Sequence, residues 1–127
     1  MSKQATIDGT QAADRTKAHE ALLREGLLAL RKEFGRSVCA VKVTQYTGRT
    51  ERGTFISAGT SRGAFDLCIC GAGRAIWADA KTGSAKLSAE QLEFQTWIRA
   101  AGGVAEPFRS ASELVDVVRR SMRKAPL

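Results

Sequence analysis

Asp66, Asp79 and Lys81 have the residue types and the spacing to do chemistry together. Gly71-Ala72-Gly73-Arg74 reads as a tight turn between two apolar runs, Ala64–Cys70 and Ala75–Lys81, so this segment is expected to be a β-hairpin. Counting outward from Ala72 and Gly73 pairs Gly71 with Arg74 and, further out, Asp66 with Asp79. Directly opposed residues of antiparallel strands hold their Cβ atoms about 4.5–5.5 Å apart on one face. Two carboxylates so placed repel each other, and a divalent cation between them removes that cost. Mg2+ is typically held by one or two carboxylates, with water and phosphate oxygens completing its shell. Lys81 lies two residues past Asp79 and shares its face by strand alternation. Such a set suits metal-assisted phosphodiester hydrolysis: the cation acidifies a bound water, and the ammonium orients that water or offsets charge in the transition state. One residue more or fewer in the turn would throw the two aspartates onto opposite faces.

Several elements must hold these residues in place. Leu87-Ser88-Ala89-Glu90-Gln91-Leu92 carries a capping box, Ser88 with Gln91, inside a hydrophobic staple of Leu87 and Leu92. The helix it opens is expected to reach about Ala101 and stop at Gly102-Gly103. Gln91 thus has two roles open to it, helix cap or site member. From about Thr16 to Phe34, Ala18, Ala21, Leu22, Leu28 and Phe34, with Leu23, Leu27 and Leu30 beside them, predict a first helix that Gly35 ends. Val38–Tyr46 predicts a strand, with Val41, Val43 and Gln45 alternating against Lys42 and Thr44. Residues 47–63 read as a mobile basic loop with a short strand at Thr54–Ser57. Val104–Phe108 predicts a fourth strand, kept to an edge or a strand end by Pro107. Ser110 and Glu113 form a second capping box, opening a last helix that runs into Arg119, Arg120, Arg123 and Lys124. Helix, three strands, helix, strand, helix makes an α/β sandwich around one mixed sheet.

The 127 residues, 43% hydrophobic and 26% charged, suit one globular domain. Residues 16–120 would form it, between a polar tail at 1–15 and a basic tail at 121–127. No apolar run approaches the ~18 residues of a membrane span, and Met1–Asp14 lacks the apolar stretch of a signal peptide. A cytoplasmic protein with no membrane partner is expected. The net charge of +7 makes nucleic acid the first candidate partner, with Arg49, Arg52 and Arg62 as phosphate contacts. His19 and the three cysteines do not have a zinc spacing. Cys68 and Cys70 read as reduced core thiols, His19 as an ordinary surface residue, Trp97 as a core aromatic, and Gly71 and Gly73 as turn residues.

Gly63-Ala64-Phe65-Asp66, Asp79-Ala80-Lys81 and Leu87-Ser88-x-x-Gln91, taken together, resemble a PD-(D/E)XK nuclease. More narrowly the pattern is similar to the VRR-NUC family, the virus-type replication-repair nuclease module, over roughly residues 18–118. Phe65 stands where that family often has Pro, and Asp79 stands where Glu is commoner. The resemblance implies a restriction-endonuclease-like α-β-β-β-α-β core with a mixed central sheet flanked by helices. It implies a Mg2+-dependent DNA endonuclease, with Mn2+ substituting. Asp66 and Asp79 would be the metal ligands. Glu20 would be the first-helix acid and an additional ligand, with Glu25 as its alternative. Lys81 would position or activate water, and Gln91 would support the site. Holliday-junction-like branched DNA as substrate and a homodimeric assembly follow from the same resemblance. The competing expectation is a non-catalytic DNA-binding protein on a degenerate nuclease fold, to which Asp in place of Glu at residue 79 points.

Overall fold

The structure, a computed structural model, describes residues 2–43, 46–49, 55–58 and 63–123; for residues 2–13, 15, 46–49 and 55–58 it describes the backbone alone. The chain runs α1 (Ser2–Phe34), a 3-10 turn (Gly35–Ser37), β1 (Val38–Lys42), β2 (Tyr46–Arg49), β3 (Phe55–Ala58), β4 (Leu67–Gly71), β5 (Arg74–Ala80), α2 (Ala89–Ala100), β6 (Val104–Phe108) and α3 (Ala111–Arg123). β1, β4, β5 and β6 form one mixed sheet in that order, antiparallel except for the parallel pair β5–β6. The fold is therefore α/β, with a four-stranded mixed sheet and three helices. Three strands and then one strand across a helix are as expected. β2 and β3 pair antiparallel in a second, two-stranded sheet: β3 falls on the short strand expected at Thr54–Ser57, one residue later, whereas β2 lies where loop was expected, and β1 ends at Lys42 rather than reaching Tyr46.

The two faces of the sheet bury different sets. Leu67, Ile69, Ile76, Ala78, Ala80 and Phe108 face α1 and α3, meeting Leu22, Leu23, Leu30, Leu114, Val117 and Val118. On the other face Trp77 and Ala105 meet Phe65, Phe94 and Ile98 under α2. Alternation along β5 thus sends Ile76, Ala78 and Ala80 to one layer, and Trp77 and Asp79 to the other. α1 and α3 cross closely at Gly26, where a Cβ would stand 2.8 Å from the Leu114 side chain.

Five readings from sequence are corrected. The segment read as a polar tail is helical from Ser2 on. Its polar sequence hides this, because no run of large apolar residues marks a helix face there. Leu28, counted among the apolar positions of that helix, is exposed. In β1 it is Val38 and Ala40 that pack on the core, while Val41 is 55% exposed. Cys39 and Cys70 are exposed and Cys68 is only partly covered, so they are not core thiols. Their parity is as expected, but they lie on the α2 side of the sheet, where α2 packs on β6 rather than on β1 and β4. Trp97 is 58% exposed; Phe94 and Trp77 are the aromatics that pack, edge to face at 5.1 Å.

Candidate active site

The β4–β5 hairpin has the register that its turn dictates. Gly71 pairs with Arg74, and Leu67 with Ala78. Ala72 (φ 53°) and Gly73 (φ 77°) both take positive φ, as a two-residue turn of the kind that follows strand twist requires. Asp66 and Asp79 therefore meet one step beyond Leu67 and Ala78, at the open end of the hairpin. The expected strand from Ala64 is not formed, since β4 begins at Leu67 and Asp66 lies in a bend. Side chains continue the ladder there. Asp66 N–H donates to Asp79 Oδ1 (3.1 Å), and Ala80 N–H donates to Asp66 Oδ2 (3.0 Å). Val43 N–H donates to the Asp66 carbonyl at 2.7 Å, tying the bend to the end of β1.

Asp79 is 1% exposed. Its Oδ2 accepts from Gln91 Nε2 at 2.9 Å and lies 3.1 Å from Lys81 Nζ. Lys81 Nζ in turn donates to Gln91 Oε1 at 2.8 Å. Gln91 Oε1 also accepts from Ser88 N–H (3.0 Å), and Ser88 Oγ accepts from Gln91 N–H (3.1 Å). The two roles open to Gln91 in the sequence are one arrangement: the same amide closes the capping box and bridges Asp79 to Lys81. Its orientation is fixed by charge. Turned over, its NH2 would face an ammonium and a backbone N–H, and its oxygen a carboxylate. Burial pushes the Asp79 carboxyl up to about 6, helped by the charge of Asp66 and a hydrogen bond with it, and opposed by Lys81.

Gly63 explains the Gly of Gly-x-x-Asp. It has φ 77°, and a Cβ there would lie 2.3 Å from the Glu90 carbonyl oxygen and 2.8 Å from Gln91 N. The chain thus crosses directly over the first turn of α2. Phe65 then locks in against Phe94, ring centroids 5.3 Å apart, and Asp66 follows. Gly63→Ala is expected to cost about 2–4 kcal/mol, from the left-handed backbone and the overlap together. Urea unfolding would read the loss, and an unchanged midpoint would mean that Gly63 is not a clamp.

Of the expected site residues, Asp66, Asp79, Lys81 and Gln91 are brought together. Glu20 is not among them: its Oε2 accepts from Lys42 Nζ at 3.1 Å, at the rim of β1. Glu25 is exposed. Arg52 and Arg62 lie outside the described residues, and of Arg49 only the β2 backbone is described. The residue missed from sequence is His19, one position before Glu20. Its Nε2 lies 3.0 Å from Asp66 Oδ2. The signal was helix phase: His19 stands three, four and seven residues before the buried Leu22, Leu23 and Gly26, so it extends the sheet-facing stripe of α1.

The donor set fits a hard divalent cation. A desolvated carboxylate beside a second one, with a single ammonium against the pair, leaves negative charge that a cation would neutralise. Asp66 and Asp79 are the residues that would hold it. Among the described residues no group of three or more His, Cys, Asp or Glu side chains is arranged to hold a metal ion, so the two carboxylates are what the site offers as it stands. No protein-family model matches the chain, and no curated protein matches it.

Proposed function

We propose that the chain is a metal-dependent endodeoxyribonuclease of the restriction-endonuclease-like fold, similar to the VRR-NUC family and acting on branched DNA. The observation that carries this reading is the Asp79–Gln91–Lys81 network closed on Asp66. It brings two carboxylates and an ammonium together at the end of one hairpin. A cation such as Mg2+ or Mn2+, held by Asp66 and Asp79, would supply Lewis-acid stabilisation of a scissile phosphate and acidify a water. Lys81 places its ammonium where it can orient that water and offset the charge growing on the phosphoryl oxygens. Gln91 fixes the Lys81 head group, and the bend at Asp66 sets the spacing of the two carboxylates.

The net charge of +7 favours a polyanion, and Arg49, Arg52 and Arg62 are the phosphate contacts of this reading. No helix among the described residues is long and apolar enough to cross a membrane. Among the described residues the chain carries one such site, whereas resolving a four-way junction takes two nicks in symmetry-related strands. A closed two-fold dimer supplies both.

The test is cleavage of linear, flapped and four-way DNA with Mg2+ or Mn2+. The wild-type chain is expected to nick branched DNA preferentially, and Asp66→Ala to bind DNA and leave it intact. Wild-type protein that binds all three and cuts none would favour the non-catalytic DNA-binding reading instead.

A further inference from the structure

We propose that His19 is a metal ligand of this site, the one contributed by α1, and that its imidazole makes the site prefer Mn2+ to Mg2+. The inference rests on the nuclease reading above.

α1 delivers His19 to the carboxylates. Glu20 is turned toward Lys42, and Glu25 is exposed, so neither of the two weighed acids reaches the pair. His19 reaches it because it shares the stripe of Leu22 and Leu23, which are buried against the sheet. Its Nε2 stands 3.0 Å from Asp66 Oδ2. The two atoms are near enough that both would reach one cation held between them, and Asp79 would be the third protein donor. As a ligand, His19 would offer the Nε2 lone pair with its ring proton on Nδ1. An imidazole nitrogen raises affinity for transition cations, whereas Mg2+ demands oxygen ligands. A set of two carboxylates and one imidazole is therefore biased toward Mn2+.

His19 is the only histidine of the chain, which makes the test direct. Mn2+ is added to untagged protein and examined by pulsed electron paramagnetic resonance, with affinities for Mn2+ and Mg2+ measured by calorimetry. Bound Mn2+ is expected to show an imidazole nitrogen coupling that vanishes in His19→Gln. Mn2+ affinity is expected to fall tenfold or more in that variant, and Mg2+ affinity less than threefold. Bound Mn2+ with no nitrogen coupling in the wild type overturns the proposal. If that Mn2+ is still lost in Asp66→Ala, the nuclease site stands and only the role of His19 falls. Wild-type protein that binds no Mn2+ at millimolar concentration overturns both.

Discussion

Lys81→Met is expected to slow DNA cleavage by about 10^2- to 10^4-fold while leaving DNA affinity close to that of the wild type. The side chain is 15% exposed, and its ammonium is fixed between Asp79 Oδ2 and Gln91 Oε1. An ammonium so placed has its ordering entropy lost before substrate arrives, so its full effect falls on the transition state. Methionine keeps the stem and removes the charge. Lys81→Arg is expected to be nearly as slow, because a planar fork does not replace a compact head group between two fixed partners. Gln91→Ala should be milder in rate but should also cost about 1 kcal/mol of stability through the lost cap. Single-turnover cleavage with DNA in excess of its dissociation constant separates these effects from binding. A Lys81→Met enzyme within threefold of wild type would remove Lys81 from the chemistry.

The second large effect is on stability in the absence of metal. The Asp79 carboxyl is pushed up from 3.8 to about 6, chiefly by burial and then by Asp66. The folded state therefore holds this proton more tightly than the unfolded chain does. Its contribution is fully present below about pH 4 and is lost as pH rises through about 6. Each pH unit between the two values corresponds to about 1.4 kcal/mol, so the total is on the order of 3 kcal/mol, of which about 2 falls between pH 4 and 7.5. Urea unfolding with a chelator from pH 4 to 7.5 would measure it. Asp79→Asn serves as the reference, since it titrates nothing at this position. Wild type should lose about 2 kcal/mol relative to that variant across the window. A difference independent of pH would show that Asp79 ionises normally.

How far the sequence can be read depends on which force decides each feature. The hairpin register was legible because turn geometry alone sets it, and a two-residue turn at Ala72-Gly73 admits one pairing. The capping box was legible because its partners lie within four residues of each other. Coverage of a face was not legible. Alternation puts Cys68 and Cys70 on the side of Asp66, but whether a helix lies over them depends on where α2 docks, and α2 docks on β6. His19 and Glu20 show the same limit within one helix. Adjacent residues differ by about 100° around the axis, so the identity of the one that reaches Asp66 follows from how α1 seats on the sheet. The bend at Asp66 was missed because Phe65 is drawn into the α2 layer beside Phe94, which breaks the alternation that a longer β4 would have kept.

On the nuclease reading, the double engagement of Gln91 would tie turnover to a local opening equilibrium. Helix ends fray, and the first turn of α2 is held by the same amide that holds Lys81. Each time that turn opens, Lys81 loses its acceptor and Asp79 loses a donor together. The rate would thus fall as the open fraction of that turn grows, even while the rest of the fold holds. On warming, this local opening would come before the global transition. Catalytic competence would then decline at temperatures where the sheet and the α1–α3 layer are still intact.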